Sequence, residues 1–151
     1  MSDASCPFCP LVAALETAET YRSPSGEVSQ RVALLPTSVA ILGSDQYYPG
    51  YTIVIARRHA IELFQLADAE STAYFQDMLR VARAIDRAFS PRKMNYELLG
   101  NTVAHLHWHL FPRYDGDPNP ARRIWENVHD PRRLTDAECV RTIDAIRRHL
   151  G

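Results

Sequence analysis

The chain has 151 residues, with 17 Lys+Arg against 18 Asp+Glu and a net charge of −1. That length suits one domain with a sizeable core, and the near-neutral balance argues against a broad nucleic-acid surface while leaving room for a local anion site. Hydrophobic content of 46% and charged content of 23% are ordinary for a soluble globular protein. No apolar run approaches a membrane span, residues 1–5 show no secretory leader, and three cysteines make no disulfide framework. A cytoplasmic location, with no membrane or nucleic-acid partner, is the expectation.

Cys6-Pro7-Phe8-Cys9 is a thiol pair with three readings. A redox motif needs a preceding strand, which the residues before it do not supply. Half of a tetrahedral zinc site needs two ligands from elsewhere. A pair of buried thiols is the third. Available histidines favour the second. Residues 11–20 read as a short helix, and 22–26 as a turn by their Pro and Gly content. Residues 32–35 and 39–42 are short strands broken at Pro36, and Tyr48-Pro49-Gly50 is another turn. Residues 51–56, β-branched and aromatic, form a good buried strand.

Asp68 is placed to cap a long helix. Phe75, Met78, Leu79, Ala82, Ile85 and Phe89 recur at three and four and face a core. Ser90-Pro91 ends that helix. Residues 94–99 are a strand, and Gly100-Asn101 the tight turn of a hairpin. After a polar loop at 115–120, Arg122, Arg123 and Trp125 have two readings: a cation and an aromatic beside a site, or a surface Trp packing on the core. Thr135-Asp136-Ala137-Glu138 is a capping box. It opens a last helix with Cys139, Val140, Ile143 and Ile146 inward, while His129 and His149 read as surface residues.

Between the hairpin turn and that loop lies the most informative stretch. His105, His107 and His109 alternate with Leu106, Trp108 and Leu110. Strict alternation is a strand with the apolar set on a core face and the imidazoles on the other. Same-face neighbours sit roughly 6.6–6.8 Å apart, so the outer pair is about 13 Å apart and three imidazoles cannot share one metal at about 2 Å. The labour is divided: a ligand or orienter, a nucleophile or base, and a contact to substrate or leaving group.

His105-Leu106-His107-Trp108-His109-Leu110-Phe111 resembles the His-φ-His-φ-His-φ-φ signature of the histidine triad (HIT) superfamily of nucleotide hydrolases and transferases. Pro112-Arg113-Tyr114 follows as in many members. Pro49-Gly50-Tyr51-Thr52-Ile53-Val54-Ile55 and Arg57-Arg58-His59 resemble the family's Pro-Gly-His-Thr-Leu-Val-Ile-Pro-Lys-Lys-His segment. The resemblance implies an α+β fold: a mainly antiparallel five-stranded sheet, one long helix and a C-terminal helix. It would occupy residues 1–151 as one HIT-like domain, with its core at about 6–114 and a C-terminal loop and helix at 115–151.

The resemblance also implies a homodimer with a continuous sheet. It implies a structural zinc held by Cys6, Cys9, His59 and the first triad histidine, His105. His107 would be the nucleophile, attacking the α-phosphorus of a nucleoside phosphoester, anhydride or phosphoramidate to form a nucleotidyl-histidine. His109 would contact the leaving group. Asn101 and Thr102 fall at the family's Gln-Thr positions and can donate to phosphate oxygens. The loop before them is shorter than in many members. Gly43 aligns with the family's ribose-binding Asp; Asp45 either takes over that role or is a plain turn residue.

Two other functions compete. One is a non-catalytic nucleotide-binding module on the same scaffold. The other is a zinc-dependent hydrolase, weakened because two cysteines would close the metal shell. The base, the leaving group and the choice between hydrolysis and transfer are open in the sequence.

Overall fold

The computed structural model describes residues 5–151. The elements run α1 (Phe8–Leu15), β1 (Thr20–Arg22), β2 (Val28–Leu34), β3 (Ser38–Leu42), β4 (Thr52–Ala56), α2 (Asp68–Phe89), β5 (Lys93–Glu97), β6 (His107–Arg113) and α3 (Asp136–Arg147). Single 3₁₀ turns lie at Leu63–Gln65 and Ile124–Glu126.

The sheet has six strands in the order β1-β2-β3-β4-β6-β5, every pair antiparallel. The expected five-stranded sheet is thus one strand short, and the reason is local. The first helix stops at Leu15 instead of running to residue 20. Thr20, Tyr21 and Arg22, good strand formers, then fold back on β2 around a turn closed by Gly26 N–H donating to the Ser23 carbonyl at 2.8 Å.

Both faces of the sheet are covered, so β3 is buried at all five positions. One face carries Ala40, Leu42, Val54 and Leu110 under Tyr74, Met78, Val81 and Ile85 of α2. The other carries Val39, Ile41 and Ile55 under Leu11, Val12 and Leu15 of α1. The long helix has its expected boundaries in the sequence pattern, but Asp68 is its first residue and not its cap. Its acid still suits the positive N-terminal end. Phe75 is 47% exposed and Tyr74 takes the inward place. In α3 the capping box forms as expected, Ile143 and Ile146 face inward, and Val140 is exposed. Cys139 is partly buried against the main core.

The loop between β5 and β6 is longer than a hairpin turn. It spans residues 98–106, because the ladder stops at the Glu97–His109 pair. No helix among the described residues is long and apolar enough to cross a membrane.

Candidate active site and metal cluster

Register places the site. Ile53 pairs with His109 and Ile55 with His107 across β4 and β6, so both imidazoles lie on the α1 face of the sheet. His105 precedes β6. Its segment is held by Leu106 N–H to the Ala60 carbonyl at 2.7 Å and Ala56 N–H to the Leu106 carbonyl at 3.0 Å. His107 and His109 alternate on β6 as expected, but His105 lies in the bend before the strand, and the imidazole face is not open. His105 is 1% and His107 6% exposed, because Phe8 of α1 sits edge-on to both rings at 5.9 and 5.0 Å.

Hydrogen bonds to backbone carbonyls fix the tautomers of His105 and His107. His105 Nε2 lies 2.8 Å from the Ala56 carbonyl, which can only accept, so Nε2 carries the proton and Nδ1 the lone pair. His107 Nδ1 lies 2.6 Å from the His105 carbonyl. Its proton is therefore on Nδ1 and its lone pair on Nε2. His109 Nδ1 lies 2.7 Å from the Tyr51 hydroxyl. Burial pushes all three imidazoles toward the neutral form. His109, with His107 as a second cause, is lowered to about 4.

The three do not share one task. His105 Nδ1 points into a cluster with Cys6, Cys9 and His59, whose ligand atoms all lie within 4.8 Å of one another. Within it, His105 Nδ1 is 3.4 Å from Cys6 Sγ and 3.2 Å from His59 Nδ1, and Cys9 Sγ is 3.5 Å from His59 Nδ1. Ligands at about 2.0–2.3 Å on a tetrahedron would be separated by roughly 3.3–3.8 Å. Two thiols, two imidazoles and these spacings fit a Cys₂His₂ metal centre with no open position.

His107 and His109, with ring centroids 4.8 Å apart, line a cleft of about 340 Å³ together with Phe8, Leu99, Gly100, Asn101, Thr102, Val103 and Trp125. Asn101 and Thr102 are exposed in the loop before β6, and neither side chain has a partner among the described residues. Trp125 comes from the turn after the polar loop, 5.4 Å from the His109 ring and 56% exposed. Both readings of the aromatic hold: Trp125 lines the cleft beside His109, and it also packs edge-on against the buried Phe111 at 5.3 Å. The cations do not accompany it: Arg122 and Arg123 pair with Glu126 at 3.4 and 3.0 Å.

Asp45 is elsewhere. Its carboxylate accepts from Tyr47 N–H at 3.0 Å, Arg132 N–H at 2.9 Å and His129 Nε2 at 2.9 Å, and it is not among the cleft residues. His129, expected on the surface, is instead stacked on Tyr47 at 4.0 Å and bound to that acid. Sequence reasoning attached no role to Tyr51 or Phe8. Tyr51 was within reach, since it shares the face of Ile53 and Ile55, the residues paired with the histidines.

A HIT-domain family model matches residues 27–116, and the chain belongs to the HIT family. Protein hit of Bacillus subtilis (strain 168) is 28% identical over 139 residues, covering 89% of this chain and 88% of that one. The AP-4-A phosphorylase of Mycobacterium tuberculosis is 32% identical over 117 residues, covering 68% of this chain but only 58% of its own length. The crystal structure of a histidine triad protein from Bradyrhizobium japonicum superposes with a TM-score of 0.74 at 29% identity, covering 82% of this chain and 91% of that chain.

Proposed function

We propose that the protein hydrolyses or transfers a nucleoside monophosphate group, attacking the α-phosphorus of a nucleotide ester, anhydride or phosphoramidate with His107. The observation that carries this is the 2.6 Å bond from His107 Nδ1 to the His105 carbonyl, which leaves a bare Nε2 in a cleft beside unpartnered Asn101 and Thr102. The relative named AP-4-A phosphorylase supports the substrate class.

Nε2 forms a bond to phosphorus as the bond to the leaving group breaks, and the leaving group departs with its electron pair. Positive charge on the nucleotidyl-imidazole is offset by the His105 carbonyl. Asn101 and Thr102 donate to the non-bridging oxygens, and His109 donates to the leaving atom, which takes its proton from solvent. Water, or a phosphate acceptor, then displaces the nucleotide and restores neutral His107.

Cys6, Cys9, His59 and His105 would hold a structural zinc. The metal would cross-link the N-terminal segment to the sheet and would take no direct part in the bond-making and bond-breaking steps. The protein would act as a homodimer: β5 is the terminal strand of the sheet, with Tyr96 and Leu99 exposed beside it.

Intact-protein mass spectrometry tests the reading, with the parent and His107→Ala mixed with adenylyl and guanylyl compounds and followed alongside turnover. A nucleotidyl adduct or turnover in the parent, absent in the variant, is expected. Equal nucleotide binding by both, without adduct or turnover, would establish the binding module instead.

A further inference from the structure

Tyr51 is the residue whose side chain the proposed chemistry leaves without a task. It is 7% exposed, and its ring stacks on Phe111 at a centroid distance of 4.0 Å and 11° between planes. Its hydroxyl reaches His109 Nδ1 at 2.7 Å and has no other partner among the described residues.

Which atom donates follows from counting hydrogens. If Nδ1–H donated to the tyrosine oxygen, the hydroxyl hydrogen would be buried without an acceptor, a cost of the kind buried unpaired donors carry. The phenol cannot escape by ionising, since burial raises its pKa further above the ordinary tyrosine value. If the hydroxyl donates to Nδ1, its buried hydrogen has an acceptor. His109 then carries its own proton on Nε2.

The ring has room for this because of position 43. Gly43 pairs backbone to backbone with Tyr51, its N–H donating to the Tyr51 carbonyl at 2.9 Å. A Cβ added at Gly43 would lie 2.1 Å from Cδ1 and 2.4 Å from Cε1 of the Tyr51 ring. These are ring atoms in a stacked, buried side chain, so the neighbour cannot give way as a flexible chain end would. Only glycine at 43 allows the ring to lie flat on the sheet with its hydroxyl on His109.

We propose that Tyr51 is a positioning residue, seated by Gly43, that fixes His109 as the Nε2–H tautomer. The two cleft histidines are thereby held in opposite forms. His107 offers a bare Nε2 as nucleophile; His109 offers an N–H as donor to the leaving atom. The consequence for turnover rests on the nucleotidyl-histidine reading, whereas the tautomer does not.

Nitrogen-15 NMR of histidine-labelled protein, as purified at neutral pH, decides it without a substrate. In the parent, His109 should show a bare Nδ1 and a protonated Nε2, and His107 the reverse. In Tyr51→Phe, His109 should shift toward Nδ1–H or an average of both while His107 is unchanged. Gly43→Ala, which keeps the hydroxyl but displaces the ring, should do the same, so the test survives a Tyr51→Phe protein that does not fold. His109 as Nδ1–H in the parent, or an unmoved tautomer in the variants, overturns the assignment. Kinetically, Tyr51→Phe should lower kcat about tenfold more for substrates with poor leaving groups than for good ones, with KM little changed; an equal loss for both overturns the catalytic role. Absence of turnover in the parent would count against the hydrolase reading, and the NMR result would still decide the role of Tyr51.

Discussion

The carbonyl oxygen of His105 accepts the Nδ1 proton of His107 at 2.6 Å. The side chain of His105 turns the other way, donating Nε2–H to the Ala56 carbonyl and aiming Nδ1 at Cys6, Cys9 and His59. One residue therefore joins the metal cluster through its ring to the proposed nucleophile through its backbone. Whatever fixes the ring of His105 also fixes the acceptor that decides which nitrogen of His107 is bare.

Metal removal should accordingly reach further than the cluster. Protein purified without a His tag should contain about one zinc per chain, since two thiols and two imidazoles match a structural tetrahedral set. Stripping it with a chelator should lower the Tm, because metal binding and folding share one free energy. Turnover should fall as well. Elemental analysis with thermal denaturation checks this, and metal-free protein with an unchanged Tm would rule the zinc out.

Acid should be tolerated unusually well. Burial holds His107 below the ordinary imidazole value of 6.5, and His109 at about 4. The active form of His107 is neutral. A lowered pKa means that form persists to more acid pH, and is lost only as pH falls through the lowered value. The acid limb of kcat/KM should therefore lie below pH 6.5. A limb centred at or above that value would show that the burial is not felt by the reacting group.

Loss of single groups should follow a hierarchy. His107→Ala removes the bond-forming atom and should abolish the adduct. Asn101→Ala or Thr102→Ala removes one donor to the developing charge, and should cost about 10²–10³ in kcat, as one oxyanion donor does elsewhere. Steady-state kinetics with one good substrate would check the order. Equal, small losses at all three positions would mean binding without catalysis.

Much of this arrangement was legible in the sequence, for identifiable reasons. The triad spacing carries its own geometry, and the cluster of Cys6, Cys9, His59 and His105 assembles as the resemblance implied. What stayed hidden depends on contacts between distant segments. Nothing local says that Asp45 meets His129, eighty-four residues on. Thr20–Arg22 is too short to announce a strand, and becomes one only because β2 offers an edge. Asp77 looks like a helix-surface acid, yet it is buried and accepts from Thr37 N–H, Thr37 Oγ1 and Ser38 Oγ, tying the β2–β3 turn to α2. Gly43 reads as a departure from the family pattern and Tyr51 as part of a matching segment, and only the 2.1 Å approach that a Cβ at position 43 would make to the Tyr51 ring joins them into one feature.

That feature bears on sugar recognition. Among the described residues no carboxylate lines the cleft, and Tyr51 leaves no space for one at position 43. A site that binds a hydroxyl through a buried partner rejects the analogue lacking it by roughly 10⁴–10⁵. Here ribo- and 2′-deoxyribonucleotide substrates should differ by no more than about tenfold in kcat/KM. Gly43→Asp alone should not restore discrimination, and should destabilise the fold by about 1–3 kcal/mol through overpacking. Paired kinetics on the two sugars, with a thermal melt of the variant, checks both statements. Strong preference for the ribonucleotide in the parent would show that another group reads the diol.

The Asp45–His129 pair should give the protein a stability maximum on the acid side. Burial alone would lower His129, but the Asp45 carboxylate and the Asn127 carbonyl outweigh it and its pKa is raised. Burial alone would raise Asp45, but donors from Arg132, His129 and Tyr47 outweigh it and its pKa is lowered. The histidine's contribution is complete below its unfolded value of 6.5 and is lost as pH rises through its raised folded value. The aspartate's is complete above its unfolded 3.8 and is lost as pH falls through its lowered folded value. Both are present together between those two unfolded values. Parent and His129→Gln should therefore differ more near pH 5 than near pH 9, by about 0.5–1 kcal/mol for a partly exposed pair. Denaturant unfolding at both pH values measures it. A difference that does not change with pH would mean His129 acts only through its stack on Tyr47, and that the segment after Trp125 is held to the sheet by packing and backbone bonds alone.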